Sequence, residues 1–176
     1  MEDICLIHPE LAGRAAADAF KQEFFDNGEP IINGSALFDQ MDYPSWLALV
    51  QQNSSADTVR DDWVAASTFF AKRKADDKLV GIIDIRHNLN HPFLQEFGGH
   101  IGYAVRPGER RKGYATAMLQ LALAYAKEKL GLSRVMLGCY TDNEGSNRTI
   151  LRCGGKLTET KPYTDGKPMH VYWIDL

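Results

Sequence analysis

The stretch Gly102-Tyr-Ala-Val-Arg-Pro-Gly-Glu-Arg-Arg-Lys-Gly-Tyr-Ala-Thr116 decides the fold. A strand-like run from Gly99 to Val105 enters a basic turn, and the turn opens the strongest helical pattern in the chain, Gly113 to Leu130. Ala115, Leu119, Ala122 and Ala126 make one apolar stripe on it, and Met118, Leu121 and Tyr125 a second; Gly131 is a natural stop. A helix N-terminus carries unpaired N–H groups and a partial positive charge, so it is a ready anion site. Gly113 leaves the backbone bare to a close-approaching phosphate, and Ala115 keeps the next position small. Arg110, Arg111 and Lys112 add positive charge at the same spot. The turn therefore favours a di- or polyphosphate. It contains neither G-x-G-x-x-G nor G-x-x-x-x-G-K-[ST], which argues against a Rossmann dinucleotide site and a nucleotide P-loop.

Downstream, Arg134 to Cys139 reads as a buried strand, Ser146 to Arg152 as a short helix ended by Gly154-Gly155, and residues 156–160 and 170–174 as late strands. Upstream, residues 3–7 read as a strand, and Pro9 opens a helical segment that Asn27-Gly28 stops. Residues 29–43 show little periodicity, and 44–52 read as a second helix. Residues 67–72 and 79–85 form a hairpin around Asp76-Asp77, and 87–97 a loop. Hairpins followed by strand–helix–strand predict an α/β (α+β) sheet with helices on both faces, in one domain over 1–176.

Composition fits that reading. The 176 residues are 44% hydrophobic and 24% charged, enough for one sizeable core. A net charge of -3 disfavours non-specific nucleic-acid binding. Cys5, Cys139 and Cys153 are widely spaced with no CxxC, which suggests neither a zinc site nor a disulfide framework. The N-terminus lacks the basic start of a signal peptide, and Ala115 to Ala126 is too short to span a bilayer. The expectation is a cytoplasmic protein with no membrane partner and no metal.

The pattern Arg110-x-x-Gly113-x-Ala115 after Tyr103-Ala104-Val105 resembles motif A of the GNAT superfamily of N-acetyltransferases, Q/R-x-x-G-x-G/A. Asp142-Asn143-x-x-Ser146 resembles its motif B, Cys153-Gly154-Gly155 a glycine before the next strand, and Val80-Gly81-Ile82-Ile83 a central-strand sequence. The resemblance spans about residues 64 to 174. The chain is also similar to an uncharacterised bacterial branch, through Ile32-Asn33-Gly34-Ser35, Ile85-Arg86-His87-Asn88-Leu89-Asn90 and Gly98-Gly99-His100-Ile101-Gly102-Tyr103. The resemblance implies a mixed, mostly antiparallel central sheet and acetyl-CoA as co-substrate. It implies a turn that holds the coenzyme A pyrophosphate, a strand that pairs with the pantetheine arm, and an Asn that contacts that arm. Carried onto this chain, the set is Tyr103, Ala104, Val105, Arg110, Arg111, Lys112, Gly113, Tyr114, Ala115, Thr116, Asn143 and Ser146.

Acetyl transfer needs a deprotonated amine beside the thioester and a stabilised oxyanion. The family's usual glutamate base aligns with Gly99, which has no carboxylate, so Glu96 and His100 are the catalytic candidates, with His87 across the hairpin. An ordinary histidine pKa suits His100 for base work. The family's tyrosine acid falls on Ile150, and neither Tyr103, Tyr114 nor Tyr140 matches it. Cys139 reads as a small buried hydrophobe. The acceptor is a small-molecule or peptide amine, and Phe24, Glu29, Phe38, Asp39, Asp42, Tyr43 and Trp46 are its candidate lining. The rival reading is a catalytically degenerate acyl-CoA-binding or sensor module. A homodimer is allowed by either.

Overall fold

The computed structural model describes residues 3–176; the part of the N-terminal reading that rests on Met1 and Glu2 lies outside the described residues. Strand β1 (Ile4–Ile7) leads to a single 3-10 turn at Pro9–Leu11 and then to α1 (Arg14–Asp26), so Gly13 interrupts the continuous segment expected from Pro9. Helix α2 (Tyr43–Asn53) begins at Asp42, whose carboxylate accepts the Ser45 N–H at 2.9 Å as an N-cap.

Strands β2 (Ala66–Arg73) and β3 (Leu79–Arg86) form the expected hairpin. With β1 and β4 (Ile101–Val105) they make an antiparallel sheet of order β1-β2-β3-β4. Helix α3 (Tyr114–Glu128) crosses to β5 (Arg134–Tyr140), and α4 (Glu144–Arg152), β6 (Lys156–Pro162) and β7 (Pro168–Asp175) follow. These strands make a second antiparallel sheet, β5-β7-β6.

Helices cover both faces of the first sheet. On one face Phe69, Ala71, Ile83 and Ile85 pack with Met118, Leu119, Ala122 and Ala126 of α3. On the other, Phe70 and Ile82 pack with Phe20 and Phe24 of α1 and Trp46 and Val50 of α2. Burial of β2 and β3 on both sides explains why they read as continuous apolar runs without alternation. Each large side chain so buried contributes about 1.5–3 kcal/mol. Among the described residues no helix is long and apolar enough to cross a membrane.

The two sheets meet at one point. His100 N–H donates to the Met136 carbonyl at 2.8 Å, and Met136 N–H donates to His100 Nδ1 at 2.9 Å. Beyond that point β4 and β5 do not pair, and they part like a fork. A π-helical turn at Leu94–Gly98, where the sequence suggests a loop, supplies the wedge. Its Phe97 carbonyl lies so close to β5 that a Cβ on Gly138 would sit 2.4 Å from it. Gly99 then reverses the backbone at φ 61°, so the strand starts at Ile101 and not at Gly99. The α+β fold with helices on both faces is as expected, but the expected mixed central sheet is split into two, and every pairing among the described strands is antiparallel.

Candidate active site

The fork encloses a cavity of about 940 Å³ lined by residues 101–105 of β4 and 137–140 of β5. At one end stand Arg110, Arg111 and the first turn of α3; at the middle Asn143, Ser146 and Thr149 of α4; at the other end Asn33, Gly34, Arg86, Phe93 and Phe97. At about 3.3 Å per residue, β4 sets its two ends about 13 Å apart.

Gly113 is the N-cap of α3, at φ 88°, and no side chain caps the helix. The first N–H groups of α3 thus have no partner among the described residues. A Cβ on Gly113 would meet nothing within 4 Å, so the space in front of those groups is open. Arg111 lines this end and makes no hydrogen bond or ion pair with a described residue. Arg110 also lines it, but both its Nη atoms are held by Glu29, at 2.8 and 2.6 Å. That guanidinium keeps the Glu29 carboxyl below its usual range. Lys112, expected here, is outside the lining. Its Nζ reaches Glu109 at 2.9 Å, and Lys78 and Arg73 reach the same buried carboxylate. These partners push Glu109 down to about 2.

At the middle of the cavity, backbone alternation matters. Arg106 N–H donates to Val80 O, which fixes the even-numbered residues of β4 toward β3 and leaves Ile101, Tyr103 and Val105 with their N–H and C=O groups toward the cavity. Asn143 Oδ1 caps α4 by accepting Ser146 N–H at 3.1 Å. Ser146 Oγ lies 2.9 Å from Tyr103 Oη, and burial pushes that phenol up to about 12. Cys139 Sγ donates to Asn147 Oδ1 at 3.2 Å, and burial raises its pKa, so it stays a neutral thiol. Ile150, at the family's acid position, is packed in the core.

The fork brings Tyr103, Ala104, Val105, Arg110, Arg111, Gly113, Tyr114, Ala115, Thr116, Asn143 and Ser146 to one cavity, and it does not bring Lys112, Glu96 or His100 there. His100 is 5% exposed, wedged between the sheets, and its Nδ1 is occupied by Met136 N–H. Burial first, and the charge of Arg86 second, lower its pKa to about 4. This placement makes it a neutral spacer. Glu96 is an exposed partner of Lys161 at 2.8 Å. His87 is turned to Ser67 Oγ at 2.8 Å. A Cβ on Gly99 would lie 2.3 Å from Met136 O, so the position cannot carry the carboxylate that sequence alignment sought there.

Of the expected acceptor lining only Phe24 and Glu29 reach the cavity. Phe38, Tyr43 and Trp46 are core, Asp39 accepts Ile32 N–H at 2.7 Å, and Asp42 caps α2. The residues actually at the far end are Arg86 and a ring cluster. Phe93, Phe97 and Tyr163 have centroids 5.2–6.2 Å apart, and Tyr140 stands 5.6 Å from Tyr163. Arg86 sits inside the quoted Ile85–Asn90 motif, and Phe93 and Phe97 are four residues apart; those were the available signals.

Residues 36–154 match the family model described as Acetyltransferase (GNAT) family. A curated relative, the uncharacterized N-acetyltransferase YoaA of Bacillus subtilis (strain 168), is 33% identical over 84 residues, covering 47% of this chain and 45% of the relative. The chain thus matches less than half the length of that relative. Among solved structures, the microcin C7 self immunity acetyltransferase MccE, in complex with acetyl-CoA and AMP, aligns with a TM-score of 0.68 at 19% identity over 100% of this chain and 94% of that one. Mutant forms of the spermidine/spermine N-acetyltransferase SpeG from Vibrio cholerae align with a TM-score of 0.67 at 15% identity, over 99% and 95%. At these identities the likeness concerns the fold.

Proposed function

The chain belongs to the GNAT acetyltransferase family, and from that premise we propose that it moves an acetyl group from acetyl-CoA directly to an amine acceptor. The observation that carries the reading is the uncapped N-terminus of α3 opening onto the unpaired edge of β4. Open space before Gly113 and the unpartnered Arg111 fit a pyrophosphate. The acetyl-CoA complex of MccE supports the donor, and the acceptors in the name of SpeG support an amine.

Acetyl-CoA supplies the activated acyl group. The chain's residues supply the rest. The N–H groups of Tyr114, Ala115 and Thr116, with Arg111, hold the diphosphate. The cavity-side groups of Val105 and Tyr103 pair with the pantetheine arm as an added strand would. A β4 N–H, from Tyr103 or Ile101, donates to the thioester carbonyl and stabilises the charge that develops on it. The Tyr103–Ser146 hydroxyl pair stays protonated beside the leaving thiolate. No lining side chain serves as an evident base: Glu29 and Glu144 are held by Arg110 and Arg148. Positioning and water in an open cleft then carry the deprotonation.

The absence of a base at Gly99 favours a second reading, an acyl-CoA-binding module without turnover. Thiol release from acetyl-CoA with a panel of small amines, polyamines, amino acids and peptides separates the two. Acceptor-dependent release is expected. Tight acetyl-CoA binding by calorimetry with no release from any acceptor would leave the binding module.

A further inference from the structure

The acceptor end of the cavity is cationic. Its one charged lining residue among those described is Arg86; the carboxylate that pairs with it, Asp84, is buried behind it and does not line the cavity. The two lining carboxylates, Glu29 just after α1 and Glu144 of α4, are each in their own ion pair, with Arg110 and Arg148. This is a poor end for a polyamine or a lysine side chain, whose charge it would repel.

Arg86 is held in place on all sides but one. Its Nη1 donates to the carbonyls of Gly98 and Gly99 at 3.1 and 3.3 Å, and its Nε lies 3.3 Å from buried Asp84. Its Nη2 makes no hydrogen bond to a described residue. That atom lies 3.6 Å from where a Gly102 Cβ would stand, so the bare Gly102 opens the guanidinium to the cavity beside β4. Gly34 roofs the same point, its own missing Cβ lying 2.1 Å from Gly102 O. The same cavity is lined by Phe93, Phe97, Tyr140 and Tyr163, whose edge and tilted contacts with one another give an apolar wall.

The geometry points to a free amino acid with an apolar or aromatic side chain as the acceptor, its carboxylate on Arg86 Nη2 and its side chain against the rings. Resting on the acyltransferase reading, this places the amine next to Ile101 and Gly102, where the thioester would lie. A guanidinium forms charge-assisted hydrogen bonds with a carboxylate, and one already anchored loses little freedom in doing so. In the transfer, the amine nitrogen bonds to the acetyl carbon, the carbon–sulfur bond breaks, the amine proton leaves to water and the thiolate takes a proton.

Thiol release by the full chain should be measured with phenylalanine, with its amide and with phenethylamine, at fixed acetyl-CoA. The amino acid is expected to exceed the other two in kcat/KM by about 100-fold, the loss typical when a buried charge is left unpaired. Arg86→Gln should shrink that preference to about threefold through KM, and Arg86→Lys should retain part of it. Acetyl-CoA affinity and melting temperature of both variants check that the fold survives. Equal turnover of all three compounds by the unaltered protein, or polyamines as the best acceptors, would overturn the inference while leaving the acyltransferase intact. No release with any acceptor would remove both.

Discussion

Arg110 and Arg111 are neighbours in sequence and opposites in availability. Arg110 is clamped by Glu29, whereas Arg111, at φ 64°, lines the cavity with no partner among the described residues. The basic run 110–112 thus divides into one neutralised arginine, one free arginine and a lysine that serves Glu109. The open helix start at Gly113 was legible because glycine, a small residue and cations before a helical pattern have one physical reading as a candidate anion site. How the three charges are shared was not, because Glu29 and Glu109 are brought in by elements whose docking the sequence does not specify. Ala115→Glu tests the turn at this scale. A glutamate in the first helical turn favours the helix by about 0.3–1 kcal/mol. Facing a diphosphate it repels. Melting temperature should hold or rise while coenzyme A affinity falls at least about tenfold in calorimetry. Affinity unchanged in the folded variant would sink the assignment of the turn.

The elements that matter most are β4 and β5, and what keeps them apart at one end and joined at the other. His100 joins them as a neutral ring. Its pKa, ordinarily near 6.5, is lowered by burial to about 4 in the folded chain. Between those values the unfolded chain binds a proton that the folded chain refuses. The contribution of this ring to stability is therefore full above about pH 6.5 and is lost progressively as pH falls toward 4. His100→Gln keeps an acceptor for Met136 N–H and removes the titration. Chemical unfolding at about pH 7 and about pH 5 should show a smaller acid loss in the variant than in the parent. Identical losses would mean that His100 titrates normally. The sequence made His100 a base because its residue type suits one. What decides its role is the strand opposite, and strand partners were not readable: both β4 and β5 end as edges, where composition gives no pairing. The wedge at Leu94–Gly98 was equally hidden, since a π-helical turn leaves no periodic trace over five residues.

On the scale of the molecule, charge is distributed against its own sum. The chain carries -3 overall, yet five arginines and two glutamates line the cavity among the described residues. A cleft between low-dielectric sheets focuses the field of such a set on an approaching anion. The acidic composition disfavours a nucleic-acid surface, but the cavity's sign appears only once Arg86, Arg110, Arg111, Arg148 and Arg152 converge from three separate segments. Coenzyme A is a polyanion and the proposed acceptor presents a carboxylate, so one field would serve both. The Debye length shrinks from about 30 Å at 0.01 M salt to about 8 Å at 0.15 M. The association rate of coenzyme A in stopped flow should therefore drop about tenfold across that range, with the dissociation rate changing far less. If both rates proved insensitive to salt, the arginines would act by contact alone. A chain that reaches a polyanion through long-range attraction must show the opposite.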